Sequence, residues 1–71
     1  MIAKSTIETI RGKFMQTVTI IYSDTDKRAA KTIGKLDSLG YRLISENETR
    51  WGSISQYKEK FAREYKGKKK P

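Results

Sequence analysis

Large apolar side chains are scarce in this chain: Leu, Ile, Val and Phe together supply 14 of 71 residues. That fraction lies at the border between folding and disorder, because apolar burial has to outweigh the conformational entropy of the chain. A chain this short buries only about 60% of the surface its unfolded form exposes, and a core of this size usually contributes no more than about 3–5 kcal/mol. One domain is the ceiling. The expectation is a marginal fold, or one that leans on a partner.

The inventory of reactive groups removes most chemistry. With no Cys and no His, disulfide staples, thiolate or imidazole metal sites, Ser-His triads and Cys nucleophiles are all excluded. A non-enzymatic protein without metal or cofactor is expected. Asp24 and Asp26 form an Asp-x-Asp pair able to hold Mg²⁺, but they lie at a predicted helix start with no third carboxylate nearby, so capping is the better reading. The glycines are far apart, and Gly34-Lys35-Leu36 lacks both the preceding glycine and the hydroxyl of a phosphate-binding loop. No apolar run approaches the ~20 residues of a membrane span, since the longest, Val18 to Tyr22, is interrupted by Thr19. Residues 1–6 lack the apolar stretch of a secretion signal. The expected setting is a reducing cytoplasm, where the sequon Asn47-Glu48-Thr49 has no role.

Local patterns predict a small α+β domain. Phe14 to Tyr22 is rich in β-branched and aromatic residues, with Phe14, Val18, Ile20 and Tyr22 on one face of a strand. Ile2 to Arg11 also favours an extended chain, and Arg11-Gly12-Lys13 supplies a tight reversal, so the two form a β-hairpin with a basic tip. Ser23-Asp24-Thr25-Asp26 is a cluster of N-capping types that opens a helix over Thr25–Leu39. Its inner arc holds Ala29, Ile33 and Leu36, with Ala30 and Leu39 at the borders, and Gly40 is a natural left-handed stop. Tyr41 to Ser45 reads as a third strand, and Glu46-Asn47-Glu48 as too polar to continue it buried.

The last segment admits two readings. As a helix from Ser53, Ile54, Tyr57, Phe61 and Tyr65 fall within an arc of about 80°. As a strand, Tyr57, Phe61 and Tyr65 still share a face, while Ile54 leaves it and Glu59 and Arg63 join it. The helix is preferred. The expected architecture is β-β-α-β-α, a three-stranded antiparallel or mixed sheet with a helix on one face, forming one domain over residues 1–66 with a disordered basic tail over 67–71. The runner-up is β-β-α-β-β, with a fourth strand over Arg50 to Lys60.

Charge is the strongest functional signal. Sixteen Lys and Arg against eight Asp and Glu give +8, and residues 58–71 carry seven of the cations and two of the acids. Self-repulsion of this size makes sense when a polyanion supplies the counter-charge. Lys58, Lys60, Arg63, Lys66, Lys68, Lys69 and Lys70 form a basic C-terminal segment suited to phosphates; the plain alternative is a solvated tail. Lys27, Lys31 and Lys35 line one helix flank beside Arg28, where like charges repel. Lysine positions on a phosphate backbone without reading bases. Arg50-Trp51-Gly52, beside Arg42 and Tyr41 on the preceding strand, is a third candidate: an exposed Trp51 would stack on an unpaired base, but in a core so poor in large side chains the packing reading of Trp51 is preferred. Tyr57, Phe61 and Tyr65 are read as core or as an interface.

The leading expectation is a nucleic-acid-binding protein, DNA or RNA unspecified, that grips phosphates through the tail and the helix stripe. The second is a protein-interaction or inhibitor module docking through the aromatic C-terminal segment, with a homo-oligomer as one form of it. A membrane-surface helix with Tyr57, Phe61 and Tyr65 facing lipid ranks lower, because Glu59 and Glu64 dilute its charge. Integral membrane association is not expected.

Overall fold

A computed structural model describes residues 1–65. The predicted tail over 67–71, and with it Lys66, Lys68, Lys69 and Lys70, lies outside the described residues.

The elements run β1 (Ile2–Ile10), β2 (Lys13–Ser23), α1 (Arg28–Ser38), β3 (Arg42–Trp51) and β4 (Ile54–Glu64). The sheet has four strands in the order β1-β2-β4-β3, and every neighbouring pair is antiparallel. This is the β-β-α-β-β order, so the three-stranded β-β-α-β-α expectation is corrected. Since β2 and β3 both run antiparallel to β4, α1 carries the chain across β4, and the last strand fills the gap that the crossover leaves.

The first hairpin forms as its sequence suggests. Arg11 and Gly12 have φ of 53° and 81°, both left-handed, which is the type I′ geometry whose twist matches the flanking strands. The helix begins at Arg28 rather than Thr25 because the acidic cluster forms a turn ahead of it. The Asp26 N–H donates to the Ser23 carbonyl (3.0 Å), and the Asp26 carboxylate accepts the Arg28 N–H (3.0 Å). At the other end Gly40 has φ 90°. Its N–H donates to Asp37 O and that of Tyr41 to Leu36 O, both at 3.0 Å, the bond pair of a Schellman motif.

The core lies between α1 and one face of β2 and β4. Val18, Ile20, Leu36, Tyr41 and Phe61 are buried, with Tyr22 and Ile33 packed against them. In the register Val18 pairs with Phe61, Ile20 with Glu59 and Tyr22 with Tyr57. Paired residues share a face of the sheet, so Tyr57, Glu59, Phe61 and Arg63 all point toward the helix. This is the strand alternative for the segment, with Ile54 on the opposite face. A strand wins here because it satisfies backbone groups on both sides, against β2 and against β3, and because its two inward polar groups find partners. The Tyr22 hydroxyl donates to Glu59 at 3.0 Å. The Arg63 guanidinium lies 4.5 Å from the Tyr41 ring centroid and donates to Gln16 Oε1 (2.8 Å) and the Leu39 carbonyl (2.6 Å).

The third strand also runs further than predicted, through Glu46-Asn47-Glu48 to Trp51. As the sheet's outer edge it need not be buried, and all ten of its residues are exposed.

Candidate nucleic-acid interface

Only one face of the sheet is covered by the helix. On the other, the register assembles Lys4 from β1, Lys13 from β2, Lys58 and Lys60 from β4 and Arg42 from β3, against the carboxylates of Glu8 and Glu64. Thr6, Thr17, Thr19, Ser45, Asn47 and Thr49 lie between them. Near the middle, the side chains enclose a shallow concavity of about 430 Å³ bordered by Lys4, Thr6, Thr19, Asn47, Lys58 and Lys60.

Glu8 organises the centre of this face. Its Oε1 receives Lys60 Nζ at 2.8 Å, and its Oε2 receives the hydroxyls of Thr6 and Thr17, each at 3.0 Å. The hydrogen bond from Lys60, followed by those from Thr17 and Thr6, holds the Glu8 carboxyl below its ordinary 4.5. Lys60 is thereby neutralised locally, leaving the exposed Lys4 and Lys58 as the open cations of the concavity.

The ends of this face differ. At one, β4 terminates where the Tyr65 N–H donates to the Phe14 carbonyl at 2.9 Å. That places the exit of β4 beside the hairpin tip with Arg11 and Lys13, close to Arg42, which pairs with Ala62. At the far end Trp51 and Ile54 form the last pair before the Gly52-Ser53 turn. Trp51 is 69% exposed, so the reading of Trp51 as a packing residue is corrected: the register sets it on the open face of the sheet, which the helix does not cover.

The other predicted residues divide between sites. Lys31 and Lys35 on α1 and Lys27 just before it are exposed, and the helix lies across the sheet from Lys58 and Lys60, so the helix stripe does not share a surface with these two lysines. Arg50 pairs with Ser55 on the helix side and lies 3.9 Å from Glu48, pointing away from Trp51. Arg63 is held by Tyr41, Gln16 and Leu39 and belongs to the fold. Phe61 is 5% exposed, so of its two readings, core and interface, it takes the core one, and Tyr57 lies with its ring centroid 5.3 Å from that of Tyr22. With this segment a strand, the amphipathic membrane-surface helix has no basis. No helix among the described residues is long and apolar enough to cross a membrane.

Asp24 and Asp26 serve the backbone. Asp24 Oδ2 accepts the Ser55 N–H at 3.4 Å and Asp26 Oδ1 the Arg28 N–H at 3.0 Å. Among the described residues, no group of three or more acidic side chains is placed to hold a metal ion. The acids instead gather on the helix side of β3 and β4, where Glu46 pairs with Glu59 and Glu48 with Tyr57. Burial, then the hydrogen bond to Glu59, pushes the Tyr22 phenol up to about 12. The open face therefore sets five cations against two acids, while the helix face of the sheet sets Glu46, Glu48 and Glu59 against Arg50 and Arg63.

Lys4, Arg11 and Lys13 join the candidate site through the fold. The signal for Lys4 is the alternation Ile2, Lys4, Thr6, Glu8, Ile10, which places those side chains on one face. The basic hairpin tip is legible, but its neighbour in space is not. No family model, curated protein or solved structure matches the chain.

Proposed function

We propose that this chain is a small non-enzymatic nucleic-acid-binding protein that holds an unpaired strand on the open face of its sheet. The observation that carries the reading is the register, which collects Lys4, Lys13, Arg42 and Lys58 on the one face left without a helix. Lysines and threonines along a concave sheet suit phosphates and sugars, and Trp51 at the end of that face offers a ring for a base at about 1–3 kcal/mol. Lys66, Lys68, Lys69 and Lys70 follow in sequence from the same end as Arg11 and Lys13.

Such binding is electrostatic and largely blind to sequence. Titration of the full chain with a single-stranded 20-mer and with its duplex, over a series from about 50 to about 200 mM salt, tests it. The expected result is a negative slope of log affinity against log salt for the single strand, shallower after removal of residues 66–71, and a several-fold loss of affinity in Trp51→Ala. Absence of binding at the lowest salt ends the proposal, and a preference for duplex moves the site to the helix stripe.

A further inference from the structure

The two edges of the sheet are built differently, and one of them complements itself. We infer that β1 is a homodimerisation edge, joining two copies antiparallel about Thr6 into one eight-stranded sheet. The inference does not rest on the nucleic-acid reading, although in the dimer Lys4 turns from an open cation of that face into the partner of a second carboxylate.

β1 is an outer strand of nine residues. Its hairpin fixes which backbone groups lack a partner. The turn over Arg11-Gly12 makes Ile10 and Lys13 a hydrogen-bonded pair, and such pairs alternate along an antiparallel ladder. Glu8, Thr6, Lys4 and Ile2 therefore bond to β2, while Ala3, Ser5, Ile7 and Thr9 direct their N–H and C=O groups outward. A second β1, rotated about an axis normal to the sheet through Thr6, brings Ser5 opposite the partner's Ile7 and Ala3 opposite the partner's Thr9. The outward groups of both copies then pair over the whole strand.

The side chains of the open face obey the same symmetry. Ile2 faces the partner's Ile10, Lys4 faces the partner's Glu8, and Thr6 faces the partner's Thr6. These are the non-hydrogen-bonded positions, where side chains approach most closely. Glu8 can take this added lysine, since a carboxylate offers about four acceptor sites and, among the described residues, three donors occupy it. A shift of two residues either way loses the match: about Ser5, Ile2 meets Glu8, and about Ile7, Lys4 meets Ile10. Ile2, 58% exposed, gains an apolar neighbour only in the Thr6 register.

The other edge argues by contrast. A self-pairing of β3 near its centre sets Glu46 against Glu46 or against Glu48, and a register shift between Leu43 and Ser45 interrupts its ladder. Charged side chains and bulges are ordinary protections of an edge strand; β1 has no bulge in its register, and its two charges, Lys4 and Glu8, are opposite in sign and complement each other across the axis. A dimer through β1 leaves β3 outermost at both ends, so the assembly closes at two copies. It also sets the two open faces side by side.

Sedimentation equilibrium of the full chain without nucleic acid, from micromolar to millimolar concentration, tests the inference. The expected mass rises toward twice 8.2 kDa. Lys4→Glu, which turns both Lys4–Glu8 pairs into like charges, weakens the dimer by about tenfold or more. Ser5→Pro removes an outward N–H and also yields monomer, with the circular dichroism melt checking that each variant stays folded. A full chain that remains monomeric throughout overturns the inference and leaves this edge to a foreign strand or to none. Masses beyond a dimer, or a dimer that survives Lys4→Glu, overturn it as well.

Discussion

Glu8 holds its charge because Lys60, Thr17 and Thr6 all donate to it. A carboxyl whose folded pKa lies below its unfolded value binds protons less readily in the native state. Its stabilisation is complete above the unfolded value of 4.5 and is lost as pH falls through the lower folded one. Asp26 has the same sign, first through the Arg28 N–H. Urea unfolding from neutral pH to pH 3 is expected to show a falling acid limb, and Glu8→Gln to flatten it without abolishing it. Tyr22 gives the alkaline counterpart. Its phenol is raised from 10.0 to about 12, so its contribution is whole below pH 10 and disappears as pH climbs toward 12. In Tyr22→Phe, the last phenolate absorbance step is expected to vanish. A Tyr22 that ionises at pH 10 in the folded protein would mean that burial and Glu59 do not act on it.

At the scale of elements, the turns say more than the strands about what the sequence specifies. Arg11 occupies a left-handed position, φ 53°, that a residue with a long side chain adopts at a cost of about 1–2 kcal/mol. Asn tolerates it far better, and Asn-Gly is the preferred type I′ pair. Arg11→Asn is therefore expected to stabilise by about 0.5–1 kcal/mol and raise the melting temperature by about 2–8 °C. A drop would mean that the guanidinium makes a compensating contact. The first hairpin, the inner face of α1 and the Gly40 stop were legible because each rests on local chemistry: β-branched runs, apolar spacing and a left-handed glycine. Residues 54–64 were not, and the reason is arithmetic. Tyr57, Phe61 and Tyr65 are spaced by four, which is twice the strand period and nearly one helical turn, so these aromatics fit either element. Glu59 and Arg63 decided between them through Tyr22, Tyr41 and Gln16, partners remote in sequence. Trp51 is exposed for a related reason, since the face it occupies is set by the register of β3 on β4 and by which face the helix covers, neither of which is local.

For the whole molecule, what matters is which cations share a side. Measuring 45 × 21 × 17 Å, the described chain carries Lys31 and Lys35 on the outside of its helix and Lys58 behind the sheet, with the core between. One strand of nucleic acid lying on the sheet cannot also lie along the helix. Local charge counting adds these groups together; the register separates them. The proposed interface therefore predicts an asymmetry between two variants that remove cations without touching buried residues. Lys58→Ala removes one phosphate contact and is expected to lower the single-strand salt slope by about 0.7. Lys31→Ala with Lys35→Ala removes two charges from the molecule but none from the face, and is expected to leave that slope within error. Equal effects per charge would point to a diffuse positive field, and a larger effect from the helix pair would move the site to α1. Since both variants keep Glu8, Lys60 and the hairpin tip intact, their melting curves should coincide with that of the parent chain, so a difference in slope reports on binding alone.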